Sequence, residues 1–566
     1  MSFKDYVYER PVFEQYKQRF DLALTNFKNG TTVDDQVKAM EEINAVFNDY
    51  YTMSSLCEIR HCINTEDEFY ASEQDYIDEV GPQFSELTSI YYEQLLSSPF
   101  REQLEEKFGK QLFDLADATV RSFSTEIIPD LQVENKLSSE YTKLVASAKI
   151  EFDGEIYTVA QMQPLREATD REVRKRASEA TFGFFEKNKA QLDRIYDELV
   201  KVRTTIAKKL GFENFVELGY LRMNRTDYNA KMVADYREQI LKYIVPVATK
   251  LKQRQKERLG LEQMYYYDEN FNYKTGNAKP QGEPEWIVDQ AKQMYDELSP
   301  ETSEFFNFMI TNDLMDLVAK KGKAGGGFCT AIPNYSAPYI FSNFNGTSGD
   351  IDVLTHEAGH AFQVYQSLKQ KIEVPEYLWP TYEACEIHSM SMEFFTWPWM
   401  EKFFKEQTDK YKFTHLSSAL LFLPYGVAVD EFQHWVYENY NASIEERNAA
   451  WREIEKKYKP HLNYEENSYL ESGNFWKGQG HIFNSPFYYI DYTLAQVLAF
   501  QFWKKSNENF EEAWADYLHL CKLGGTQSFL GLVEEAKLIS PFKDGSVESV
   551  VEFIEEWLNS VDDKKL

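Results

Sequence analysis

Thr355-His356-Glu357-Ala358-Gly359-His360 places two imidazoles four residues apart, with a carboxylate directly after the first. On a helix, positions i and i+4 lie on one face, so His356 and His360 can grip the same metal ion. Glu357 projects beside that pair, where it can take a proton from a water on the metal. A helix is therefore predicted from about Asp350 to Leu368. Asn345-Gly346-Thr347-Ser348-Gly349-Asp350 breaks the chain ahead of it and supplies its cap.

Two histidines leave a zinc site incomplete, so a third ligand must come from elsewhere. The next helical pattern follows Trp379-Pro380 and reads Thr381-Tyr-Glu383-Ala-Cys385-Glu386-Ile-His388-Ser-Met-Ser-Met-Glu393. Its candidates are Glu383, Cys385, Glu386 and His388. We assign Glu386, which shares a face with Glu393 seven residues on. Glu393 and Asp352, the latter one turn before His356, are expected to orient the histidines through their free ring nitrogens. His388 points away from the Glu386 face. A downstream segment, Gly478-Gln-Gly480-His481-Ile-Phe-Asn-Ser485-Pro486-Phe-Tyr488-Tyr489-Ile-Asp-Tyr492, offers imidazole and phenol donors suited to an oxyanion. Ser485-Pro486 reads as a helix start, which leaves His481 in a glycine-flanked loop. The remaining histidines, His61, His415, His434, His461 and His519, read as ordinary packed or surface residues.

Outward from these motifs the chain reads mostly as helix. Apolar residues recur at three- and four-residue spacing over 10–30, 33–62, 67–96, 98–119, 168–210 and 229–259. Alternation around Asp153-Gly154, within Ala148 to Val159, predicts a hairpin, and a boundary is placed just after it. The expected division is an N-terminal helical domain over 1–165, ending in the hairpin, and a catalytic domain over 166–566. Polar residues 268–284 read as an exposed loop, and Lys321 to Gly327 as a flexible connector without phosphate-loop spacing. Phe328 to Phe344 reads as short strands. Ala337–Phe344 is expected to present an edge that an extended peptide can join.

Composition narrows the function further. The chain has 566 residues and a formal net charge of −31, which argues against non-specific nucleic-acid binding. No run approaches the ~20 apolar residues of a membrane span, and the first residues lack an apolar signal core. Five scattered cysteines point to a reducing cytoplasm. Oligomeric state is not legible.

HEAGH, the 25-residue gap and EIHSMSME together resemble the oligoendopeptidase F family, relatives of thimet oligopeptidase and neurolysin. Upstream, APYIFSNF resembles the strand beside that family's cleft. The resemblance covers roughly residues 165 to 560. It implies a mainly α, elongated two-lobed metallopeptidase with a deep central channel and a small β-sheet beside the active site. It further implies one zinc ion per chain and endopeptidase action on short unstructured oligopeptides. Among the downstream donors it singles out Tyr492, with His481 as its partner and Tyr488 and Tyr489 as alternatives. A zinc carboxypeptidase or dipeptidase on a similar scaffold is the competing reading, and it needs a cation for a free carboxylate, with Arg222 and Arg225 as possibilities. A non-catalytic helical peptide-binding protein is a further alternative, and it requires Glu357 to be idle.

Overall fold

A computed structural model describes residues 1–320, 322–370 and 374–566. Helices dominate, as the spacing of apolar residues dictates. Phe13–Asn29, Val33–Ile63 and Glu68–Leu96 form an N-terminal bundle. Thr32 and Asp35 close a reciprocal capping box at the start of its second helix. Two expected helices are interrupted. The 98–119 pattern breaks at Gly109, whose φ of 89° cannot continue a helix, giving Arg101–Phe108 and Lys110–Arg121. The 168–210 pattern breaks at Asn188 into Arg171–Lys187 and Lys189–Lys209. Periodicity survives both breaks because each second helix resumes with an apolar face inward.

Strands β1 (Ile150–Phe152) and β2 (Glu155–Tyr157) pair antiparallel across Asp153 and Gly154, both at positive φ as a primed turn requires. A second sheet contains β3 (Met315–Val318), β4 (Phe328–Ile332) and β5 (Ala337–Phe344) in the order β3-β5-β4. β5 runs parallel to β3 and antiparallel to β4. This corrects the expectation for Ala337–Phe344. It is the central strand, buried and paired on both sides, and β3 and β4 are the edges. A near-continuous apolar run is what a strand with two partners needs. Between β3 and β4, Lys323 bridges back to Asp316, so this part of the expected flexible connector is tied down. Lys321 lies outside the described residues.

Apolar side chains gather into two large cores and one small one. The N-terminal bundle has its own core, which includes Phe20, Phe47, Phe84 and Tyr91. Val374 and Tyr377, from the connection between the two motif helices, insert into that same core. Tyr377 donates to Phe108 O at 2.8 Å and accepts from Leu112 N at 2.9 Å. A larger core unites most of the remaining helices with the second sheet, and the hairpin packs on Ala177 in the third. Among the described residues no helix is long and apolar enough to cross a membrane.

Candidate metal centre and its donor network

The first motif occupies the helix Gly349–Lys369 and the second the helix Tyr382–Phe395. Asp350 fixes the start of the first by accepting from the backbone N–H groups of Asn345 and Gly346, both at 2.8 Å. Gly359, between the two histidines, is where the helices meet. A Cβ there would lie 2.6 Å from His388 O and from Ser389 Cα. This close approach brings Glu386 under both rings. Its Oε2 lies 3.2 Å from His356 Nε2 and 3.4 Å from His360 Nε2.

Those spacings can be tested against a metal. Ligands about 2.0–2.1 Å from a tetrahedral zinc stand about 3.3 Å from one another. The two measured separations bracket that figure, and all three ligand atoms lie within 4.8 Å of one another. His356, His360 and Glu386 therefore fit a single small cation. Among the described residues they are the one cluster of three or more potential ligands.

Tautomers follow from the partners. Trp397 Nε1–H donates to His415 Nδ1 at 3.1 Å, so the His415 proton sits on Nε2 and is donated to Glu393 Oε2 at 2.8 Å. Glu393 can only accept, so His356 donates Nδ1–H to Oε1 at 2.7 Å. The lone pair of His356 Nε2 is then free for a metal. His415 was not singled out from the sequence, because nothing in its own helix, Thr408–Glu438, marks it. Asp352 departs from the expected role. It accepts from Tyr411 O–H at 2.6 Å, burial pushes it up to about 6, and it orients neither ligand histidine.

Glu357 is buried, and burial raises its carboxyl above the usual range despite both neighbouring histidines. Among the described residues no hydrogen-bond partner holds it in place. A Cβ on Gly327, at the start of the β4 edge, would lie 3.6 Å from its Oε1. The general-base candidate thus lies close to the residue that leads into the β4 edge.

His481 corrects another expectation. It lies in the one-turn helix Gly480–Asn484 rather than in a loop, and the tyrosine helix begins at Tyr489, after Ser485-Pro486. Tyr488 O–H donates to Glu386 Oε1 at 2.7 Å, and Ser389 Oγ donates to Oε2 at 2.9 Å. His481 Nε2 is 3.4 Å from the Tyr492 hydroxyl, and its ring meets Tyr489 edge-on at 5.0 Å. Burial holds His481 below the ordinary imidazole value and keeps the Tyr492 phenol protonated, with the Glu386 charge helping. A cavity of about 370 Å³ adjoins this group, lined among others by Met390, Ala419, Phe422 and Tyr492.

Buried arginines lock this segment. Arg225 donates to Phe487 O at 2.5 Å and to Asp491 Oδ1 at 2.7 Å, and Arg203 donates to Phe483 O at 2.5 Å. Phe487 takes a left-handed φ of 68°, and its ring covers Gly219. Arg222 pairs with Glu134 at 3.0 Å. Arg225 is fully buried against Asp491, which closes it to a substrate carboxylate, and Arg222 is already neutralised by Glu134. Glu383 and Cys385 stay outside the metal triangle, and His388 is buried with both ring nitrogens unpartnered, its pKa driven by burial down to about 3.

Comparisons with known proteins agree with this geometry. A family model described as Peptidase M3 N-terminal domain matches residues 3–123, and one described as Peptidase family M3 matches residues 164–552. An oligoendopeptidase F homolog of Borreliella burgdorferi is 25% identical over 424 residues, which span 70% of this chain and 68% of that protein. The solved structure of Pz peptidase A with an inhibitor is 62% identical, covers 100% of both chains and superposes with a TM-score of 0.97. A structure described as an oligoendopeptidase F from Bacillus anthracis str. Ames is 61% identical, covers 100% of this chain and 99% of its own, and gives 0.93.

Proposed function

The chain belongs to peptidase family M3, and from that premise we propose that it is a zinc-dependent endopeptidase cutting internal bonds of short, unstructured oligopeptides. The observation that carries this reading is the triangle of His356, His360 and Glu386 at tetrahedral spacing, with Glu357 on the same helix beside it. One zinc ion per chain, held by those three residues, would polarise the scissile carbonyl and make a water nucleophilic near neutral pH. Glu357 takes the proton of the attacking water and passes it to the leaving nitrogen. His481 and Tyr492 donate to the oxygen that gains charge. Tyr488, committed to Glu386, holds that carboxylate in place, and Tyr489 walls the histidine.

The substrate main chain is proposed to add to the free edge of β4, antiparallel neighbour of β5, which gives affinity with little side-chain preference. In this reading the helical domain over 1–165 walls a channel that excludes folded proteins, and residues 166–566 carry the chemistry. The cytoplasm is the proposed compartment. The carboxypeptidase alternative loses support because its candidate cations are fully buried in one case, Arg225, and paired with Glu134 in the other, Arg222.

The test combines metal analysis with mass spectrometry of peptides blocked at both ends. Internal cleavage with about one zinc per chain is expected, and Glu357→Gln should retain zinc while losing turnover. Cleavage confined to free carboxyl termini would favour the carboxypeptidase, and full turnover by Glu357→Gln would remove the general base from the mechanism.

A further inference from the structure

A line of hydrogen bonds leads away from Glu386 and ends outside the groups assigned above. Glu386 Oε1 can only accept, so Tyr488 must give it its proton. The Tyr488 and Tyr492 rings pack 4.9 Å apart. The Tyr492 hydroxyl in turn lies 3.4 Å from His481 Nε2. A hydroxyl can donate or accept there, so this contact leaves the His481 tautomer to be set from the other side of the ring.

The far side of the His481 ring decides it. Tyr425, on the helix Thr408–Glu438, lies 2.8 Å from Gln479 Oε1. Burial and the neighbouring Tyr489 hold its phenol well above the ordinary value, so it donates. Gln479 Oε1 is thereby the acceptor, and Nε2 is turned to His481 Nδ1 at 2.9 Å. An amide N–H facing Nδ1 demands a bare lone pair there, and the single proton of the neutral ring falls on Nε2.

We propose that Gln479, backed by Tyr425, is a positioning residue that holds His481 as the Nε2–H tautomer able to donate to the oxyanion. Neither residue touches substrate. Without the lock, the neutral ring could place its proton on Nδ1 and present a lone pair to a negatively charged oxygen. The inference rests on the endopeptidase reading for its kinetic consequence, but not for the tautomer itself.

The experiment is a long-range proton–nitrogen correlation spectrum of zinc-loaded, ¹⁵N-histidine-labelled protein, with His481 assigned by its absence in His481→Ala. The native ring should show a protonated Nε2 and a bare Nδ1. A protonated Nδ1 with a bare Nε2 overturns the proposal. Kinetics separate positioning from packing. Gln479→Leu should lower kcat about tenfold or more with KM little changed, a fraction of the effect of losing a donor outright. Gln479→Glu should be the more active of the two, because a carboxylate opposite Nδ1–H leaves a cationic ring that still carries Nε2–H. A purely structural side chain predicts the reverse order, since leucine packs at less cost than a second acid, and that order refutes the proposal. Failure of the native protein to cut any blocked peptide sinks the endopeptidase reading alone, and the spectrum still decides the tautomer.

Discussion

Tyr488 and Glu386 are joined by a 2.7 Å hydrogen bond that occupies the carboxylate oxygen turned away from the histidines. The phenol therefore acts on the proposed ligand Glu386, leaving Oε2 for the cation it would hold. Tyr488→Phe is expected to weaken zinc binding about 10–100-fold, as losses around metal ligands do. Competition against a chromogenic chelator measures it. Unchanged zinc affinity with a large fall in kcat would instead make Tyr488 an oxyanion donor.

Glu393 bridges His356 and His415 through different oxygens. Glu393→Ala should cost about 10–100-fold in zinc affinity. His415→Phe should cost less, since Glu393 keeps its bond to His356. Equal losses in the two variants would show that His415 orients the ligand as strongly as the carboxylate does.

Gly359→Ala forces a methyl group to within 2.6 Å of the facing backbone. Separating the helices should destabilise the protein by about 1–3 kcal/mol, the usual cost of overpacking, and draw Glu386 away from the rings. Urea unfolding and zinc titration should both register it. Native zinc affinity in this variant would mean the helix contact does not set the ligand triangle.

His434 supplies a pH dependence remote from the metal. Burial lowers it to about 4, opposed by nearby Asp430 and Glu431 and reinforced by Arg237 and Arg225, and its Nε2 lies 2.9 Å from the Tyr220 hydroxyl. The unfolded chain takes up this proton near pH 6.5, before the folded one does. The associated stability is complete above pH 6.5 and drains as pH falls towards 4. Between pH 7 and 5 the loss from this group is about 2 kcal/mol. Urea unfolding of His434→Gln should show a shallower acid decline than the native protein by that amount. Identical slopes would clear His434 of responsibility.

Much of this was legible because it is local. The i, i+4 histidines, the seven-residue interval from Glu386 to Glu393 and the Asp153-Gly154 turn are set within one element each. Strand order was not, since adjacency of β5 to both β3 and β4 depends on a parallel crossover that no short pattern encodes. Asp352 misled because one helical turn before His356 is the right distance but the wrong direction, towards Tyr411. His415, Trp397, Gln479 and Tyr425 escaped because each meets its partner across at least one helix interface or turn, with only type and not spacing to mark it. Arg225 was noticed as a cation, but only the fold reveals that it is buried against Asp491 and Phe487.

The connection between the two ligand-bearing helices is moored in the N-terminal bundle by Val374, Tyr377 and the Tyr92–Glu376 bond of 2.7 Å. Excision of the first 165 residues would strip apolar cover from that mooring and loosen the span on which the third ligand depends. The two segments that separate families of sequence recognise are, mechanically, one piece. A shortened enzyme begun after the hairpin should be judged first by whether it still retains its cation.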